Sequence, residues 1–540
     1  MPIRVNIHEA GALRNQRYAF TDRFTLVSEL LQNARRAGAT GIEIDYNEAT
    51  QTLQVCDNGT GIKHFQALLS IHQSGWDAEL RDTEQAFGVG FSQCLYSARQ
   101  CVVASGYQRI DFDCAAALAQ QPIEVIETAA FVRGTCVELR GVELPGWQER
   151  IERLCVGFPL PVRLNGKALA RPLALSELQT QPTNIGEVFL LGRDDGWSRT
   201  DMMVFLQGCC VWRSPFSMVS QVNVVHLDPC QFLARLPDHD TLMDEDVQLA
   251  RIKATLQDCW QQLLRERLEQ LGEQRFLERY YSSVQRWEQR TLLNGLAWLP
   301  REICQRIEHY PEQPESGKEP CLQPYRTPIS RQAIEHGDVQ LVALQPLDDV
   351  NGAVWALARA RNYILCDRSA LDERHWAHPH VLYLDEHSVQ VTAQGEHMRV
   401  WFRGRWVNTL VVLCETISIR NVEDDTRIEV IAEGLFHHEV LYIPCHEWSG
   451  KAVRQASNYT DNNERYHEAD AEADQDALAQ LIRRLRSRDP LKTLRSLLGE
   501  LHLERYPALQ GQQFVLQVGD QDHALVVECL ATAGGAHAQS

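Results

Sequence analysis

Between Phe20 and Arg140 the chain alternates helical and strand-like patterns in an order that few folds accept. Thr21 and Asp22 are helix-capping residue types, and Phe24, Val27, Leu31 and Ala34 follow at helical spacing. Gly38 ends this helix. Two short alternating runs come next, GIEIDY (41–46) and TLQVCD (52–57), separated by the turn-rich Asn47-Glu48-Ala49-Thr50. They read as neighbouring antiparallel strands. After a glycine-containing loop, Gly90 opens a second helix that runs to about Arg99. Four further strand candidates follow: CVVASG, QRIDFD, PIEVIET and GTCVELR. Helices combined with a run of strands predict an α/β sandwich, with helices covering one face of a mixed sheet.

A chain of 540 residues is longer than one core serves, and its length alone predicts roughly three to four domains. The first is expected over residues 1–145. Around Gly146 the pattern changes to a unit over 146–310, with the hairpin signal PVRLNGKAL turning at Asn165-Gly166. The strand-like EVFLLG and MMVFLQGCCVW come next, then long helices from Asp244 to Trp287 whose apolar stripe includes Trp260, Leu263, Leu264 and Leu268. Pro311, Pro314, Pro320, Pro324 and Pro328 mark 311–328 as a linker. Residues 329–540 read as a mixed C-terminal domain of unknown role, with partner binding as a candidate. The fold class expected of the whole is α+β.

Fifty-three Lys and Arg against 72 Asp and Glu give a net charge of −19, so binding of nucleic acid or anionic membrane by bulk charge is disfavoured, though a local basic groove is not. None of the 16 cysteines forms a C-x-x-C pair, which argues against a zinc ribbon and for free thiols in a reducing compartment. The start, MPIRVNIHEA, lacks an apolar leader segment, and no stretch has the ~18 apolar residues of a membrane helix. The expectation is a cytoplasmic protein.

Chemistry concentrates in four short segments. In ELLQNARRAGAT, Glu29 and Asn33 stand four apart and project from one helix face. Asp57-Asn58-Gly59-Thr60-Gly61 follows directly on an apolar strand; a carboxylate at a strand end accepts from an exocyclic amine, and two glycines let the backbone approach a flat ligand. Phe87-Gly88-Val89-Gly90-Phe91-Ser92 leads into a helix, whose exposed N–H groups and dipole suit a phosphate. Arg133-Gly134-Thr135 precedes the strand CVELR and brings a hydroxyl. Each piece has an ordinary explanation, as a polar stripe or a tight turn. The ordered set does not.

That set resembles the GHKL ATPase superfamily, which includes gyrase B subunits, the 90-kDa heat-shock chaperones, sensor histidine kinases and MutL proteins. The likeness covers about residues 20–140 and is closest to the heat-shock-90 branch, through FGVGFS and the RGT before a strand, with a sacsin-like helix phrase. It implies a Bergerat-type α/β sandwich with an ATP pocket, followed by a transducer-like middle domain. It further implies Glu29 as general base on the attacking water and Asn33 as ligand to Mg²⁺. Asp57 would meet the adenine amino group with a water and Thr135; Gly59 and Gly61 would border base and sugar. Gly88, Gly90 and Phe91 would offer main-chain donors to the phosphates, and residues 63–86 would form a lid around Ser74-Gly75-Trp76. The chain departs from the family pattern at Arg36, which stands beside Arg35 where many members carry Asp. Lys167 and Arg235 are the candidates for a basic residue sent in from the middle domain, although an exposed cation without catalytic contact is the more ordinary reading of each.

The resulting expectation is an ATP-binding and ATP-hydrolysing protein of heat-shock-90-like type that remodels a protein partner or client, with homodimerisation implied by the resemblance. The alternatives are a MutL- or gyrase-like DNA-processing clamp and a nucleotide-gated interaction module of a multi-protein defence or stress system. Outside this region His375, His378 and His380 read as an ordinary polar loop.

Overall fold

The computed structural model describes residues 22–70, 90–235, 240–308, 322–345, 351–444, 468–499, 501–519 and 525–530, together with residues 4, 8–16, 18, 76, 453 and 456. The chain divides into two compact units, Met1–Leu296 and Ala297–Ser540.

In the first unit, α1 (Glu9–Gln16) precedes α2 (Thr25–Arg36), which is followed by β1 (Ile42–Asn47) and β2 (Thr52–Asp57). Asp22 Oδ1 accepts the Phe24 N–H at 3.0 Å, so this capping residue acts on the turn that enters α2; Thr21 lies outside the described residues. Arg35 and Arg36 sit in the last turn of α2, where the helix dipole favours cations. α3 (Phe65–Leu69) and α4 (Ser92–Ser97) lead to β3 (Gln100–Asp113), α5 (Cys114–Leu118), β4 (Ile126–Arg140), α6 (Trp147–Cys155), β5 (Val162–Leu164) and β6 (Lys167–Ala168). The strands form one six-stranded mixed sheet in the order β3-β4-β2-β1-β5-β6, with β1 and β5 parallel and the other neighbours antiparallel.

Alternation makes this sheet one-sided. Ile42, Ile44 and Tyr46 of β1 and Leu53 and Val55 of β2 are buried, while the residues between them face outward or lie half-buried. Their core takes in Leu26, Val27 and Leu31 of α2, Leu95 of α4, and residues as late as Ile151, Phe158 and Leu164. Two strands of the sheet thus come from beyond residue 145. The Asn165-Gly166 turn does form, with φ of 47° and 76°, but the hairpin it closes is an edge of this first sheet.

Two sequence expectations need correction. The four strand candidates of residues 101–140 are two long strands, because β3 and β4 stay paired through a register shift at Gly106 (φ 60°) instead of breaking there. Arg133-Gly134-Thr135 therefore lies inside β4, with Gly134 at φ 69°, and does not precede it. The cysteines are also not all free thiols: Cys56 and Cys136 are directly opposite in the β2–β4 ladder and are joined as a disulfide.

A second sheet in the same unit runs β10 (Cys209–Arg213), β9 (Met202–Leu206), β11 (Asn223–Leu227), β8 (Gly186–Phe189) and β7 (Gln181–Thr183). The long helices α7 (Glu245–Leu271) and α8 (Glu273–Arg286) bury Trp260, Leu264, Phe276, Tyr280 and Val284, and Trp260 stacks on Trp287 at 5.6 Å between ring centres.

The second unit holds a five-stranded mixed sheet in which Cys304–Ile307 lies between Leu322–Pro324 and Ile364–Cys366, followed by Leu341–Leu344 and Val381–Leu384. The last residues of the proline-rich stretch thus include a strand; residues 309–321 lie outside the described ones. Helix Gly352–Ala360 is buried along most of its length in the core of this unit. Among the described residues no helix is long and apolar enough to cross a membrane.

Candidate functional site

α2 carries Glu29 and Asn33, and its surroundings explain why the helix is buried over most of its residues. Glu29 is 4% exposed. Gly90 packs directly against its carboxylate: a Cβ on Gly90 would occupy the space of the Glu29 carboxyl group. The glycine before α4 is thereby needed for a protein contact, and that contact joins the first and third sequence segments. The N–H groups of Gly90 and Phe91 donate to no group among the described residues, while the Phe91 side chain is buried in the core at the mouth of α4. Gly88 lies outside the described residues, as do 71–75, 77–87 and 89 of the loop before α4.

One turn along, Asn33 is half-buried, and its side-chain amide makes no hydrogen bond among the described residues. An amide oxygen of this kind is a hard donor suited to Mg²⁺, which needs only one or two protein ligands when phosphates supply the rest. The donor set therefore fits the ion.

The Asp57 loop is tied to the far end of α2. Thr60 N–H donates to the Ala37 carbonyl at 2.9 Å. Asn58 Oδ1 accepts from the Thr40 and Gly41 N–H groups at 2.7 and 3.2 Å, and its amide donates to Thr40 Oγ1 at 2.8 Å. Ala37 is eight residues beyond Glu29, about 12 Å along a helix axis. The structure thus sets the Glu29–Gly90 contact at one end of α2 and the Asp57 loop at the other.

At that second end the Asp57 carboxylate accepts the Gly59 N–H at 2.7 Å, and the Thr135 main-chain amide also favours its charged form. Burial nevertheless pushes the Asp57 carboxyl above the usual aspartate value, outweighing the two amides. Thr135 acts here through its main chain. Gly134 presses against the Asp57 carbonyl so closely that no side chain fits, and Gly61 (φ 76°) meets Ser105 and Gly134. Gly59 in turn meets Ala37. The glycines at 59 and 61 are demanded first by packing of the protein on itself.

Sequence reasoning missed Ser105. It is 4% exposed; its hydroxyl donates to the Gly134 carbonyl at 2.7 Å and accepts the Ile62 N–H at 2.8 Å. It therefore staples the Gly61 loop to β4. The one available signal was a serine in the apolar strand CVVASG.

Lys167 is exposed on β6, three strand positions from β2 and so about 14 Å across the sheet, and Arg235 is exposed. His375 Nδ1 accepts the Ala377 N–H at 3.1 Å and His378 Nε2 bonds the Asp372 carbonyl at 2.9 Å, as an ordinary structured loop requires. Among the described residues no cluster of three or more His, Cys, Asp or Glu side chains is arranged to hold a metal ion.

Comparison with known protein families adds one finding. Residues 22–126 match the family described as histidine kinase-, DNA gyrase B-, and HSP90-like ATPase. The matched span contains α2, the Asp57 loop and α4, and ends before Thr135. No curated protein matches the chain.

Proposed function

We propose that this GHKL-type ATPase domain binds ATP along α2 and hydrolyses it, with Glu29 as general base. The observation that carries the reading is the pairing of two ends on one helix. A buried carboxylate sits against a glycine at one end, and a loop-held carboxylate is set at the strand end beyond the other. The separation suits a ligand with a purine at one end and a chain of phosphates at the other.

The ionised Asp57 carboxylate has acceptor capacity left after Gly59 and Thr135, and an adenine amino group is a matching donor. Gly59 and Gly61 border the base and sugar. Gly90 and Phe91, with Gly88 before them, present N–H groups to the phosphates. Asn33 holds Mg²⁺, which neutralises charge on the phosphate oxygens when bound. Glu29 takes the proton of the attacking water. Phosphoryl transfer depends chiefly on positioning and charge, so a single placed carboxylate suffices as base.

Beyond the pocket, the proposed output is heat-shock-90-like: nucleotide-driven closure coupled to remodelling of a protein partner, in a homodimer, with residues 146–310 as transducer, 311–328 as linker and 329–540 engaging the partner. The net charge of −19 supports a protein client over nucleic acid. Steady-state ATP hydrolysis tests the core of this reading. Glu29→Ala is expected to lower turnover by about 10²-fold or more; turnover equal to wild type removes Glu29 from the mechanism. Stimulation by unfolded protein is the expected result for the client, and stimulation by DNA instead would move the reading to a DNA-processing clamp.

A further inference from the structure

Arg36, where the chain departs from the pattern of the superfamily it resembles, has a partner in the second sheet. Leu206 of β9 and Cys209 of β10 pair across a two-residue turn in which Gln207 and Gly208 both have positive φ, 53° and 86°. This is the backbone of a tight hairpin, and it delivers Gln207 to the last turns of α2. The Arg36 guanidinium donates to Gln207 Oε1 at 3.4 Å. Gln32, one helical turn earlier, donates through Nε2 to the Gln207 main-chain carbonyl at 2.8 Å and contacts Cys209 Sγ at 2.9 Å. Its other amide atom, Oε1, accepts from Arg35 Nε at 3.0 Å. Gly208 has no room for a side chain, because a Cβ would strike Pro159.

Gln32 is only 5% exposed. A primary amide taken out of water is costly unless its donors and acceptor are met, and a leucine would fill similar space without that demand. The pairing thus specifies register: α2 cannot slide or turn against the hairpin without leaving a buried amide unmet. Gln32 is three residues from Glu29, so the same register places the carboxylate. The hairpin meets α2 at Gln32 and Arg36, three and seven residues beyond Glu29. The Asp57 loop has ties of its own to β3 and β4, through Ser105 and Gly134, besides its contact with Ala37 at the end of α2.

We propose that the Gln207-Gly208 turn clamps α2 for catalysis, with Gln32 and Gln207 as positioning residues and Arg36 as the second grip. The proposal rests on the reading of Glu29 as general base in ATP hydrolysis. Its signature is a loss of kcat with nucleotide affinity retained, since the adenine contacts lie on β2 and β4.

The full-length protein tests this by steady-state ATP hydrolysis and by ADP titration calorimetry. Gln32→Leu is expected to lower kcat about tenfold, equivalent to about 1.4 kcal/mol, with the ADP Kd within about twofold of wild type. Gln207→Ala is expected to lower kcat by a smaller factor. Gln207→Glu, which keeps an acceptor for Arg36, is expected to restore it. The Gln207 pair decides the question even where Gln32→Leu fails to fold. Wild-type kcat in Gln32→Leu and Gln207→Ala overturns the clamp alone, and so does an equal loss of kcat and ADP affinity, which marks general loosening. Wild-type protein that binds ADP but does not hydrolyse ATP overturns the parent reading, and the clamp with it.

Discussion

The Asp57 carboxyl titrates above the ordinary aspartate value of 3.8 because burial outweighs the Gly59 and Thr135 amides. In the window between 3.8 and the raised value, the folded chain keeps a proton that the unfolded chain has lost. Asp57 therefore favours the folded state at the acid end, and that contribution is lost as pH rises through the raised value. In the proposed function nucleotide binding runs the other way, since accepting from adenine needs the ionised form. ADP affinity is expected to fall as pH is lowered through the raised pKa, and Asp57→Asn is expected to flatten this profile while weakening ADP about tenfold or more at neutral pH. Calorimetric titration of both proteins across the acid range checks it; parallel profiles would remove Asp57 from base recognition. Asp57, Glu29 and Asn33 stood out in the sequence as candidates because their chemical types and spacings are unusual together. Ser105 was not, since a serine in a strand looks the same whether it staples a loop or faces solvent.

Among the elements, β2 and β4 deserve a separate test because they supply both Asp57 and Thr135. Their ladder places Cys56 beside Asp57 and Cys136 beside Thr135, with the disulfide tying the strands one residue from the candidate site. A bridge closing a long loop typically stabilises by about 2–4 kcal/mol, mainly by restricting the unfolded chain. Reduction by a small dithiol is therefore expected to lower the melting temperature of wild type and to leave Cys56→Ser/Cys136→Ser unmoved. Alkylation under denaturing conditions, read by intact mass, is expected to find two more reactive thiols after reduction than before. Sequence spacing could not show this pair, because 80 residues separate the two cysteines and only register sets them opposite. Register likewise hid the lengths of β3 and β4: a glycine with positive φ marks a turn in an isolated segment but is absorbed as an irregularity when a long partner strand continues past it.

For the whole molecule, the division into Met1–Leu296 and Ala297–Ser540 predicts that unfolding is not a single two-state step. Calorimetry is expected to resolve two transitions. ADP at 100 times its Kd is expected to stabilise only the one belonging to the first unit, by about 2.7 kcal/mol. A ligand shift shared equally by both transitions would mean that the units unfold together.

Local pattern determined α2, β1, β2, the Asn165-Gly166 hairpin and the long helices of residues 245–286, because periodicity, capping and turn chemistry act over a few neighbouring residues. It also singled out the side chains that are candidates for the chemistry. Only the tertiary structure decided what the glycines face, that Ser105 closes the loop, that Cys56 meets Cys136, and that Arg36 and Gln32 are gripped by a hairpin about 170 residues away. Those are matters of register and close approach between distant segments, and the core that enforces them exists only once the sheets are formed.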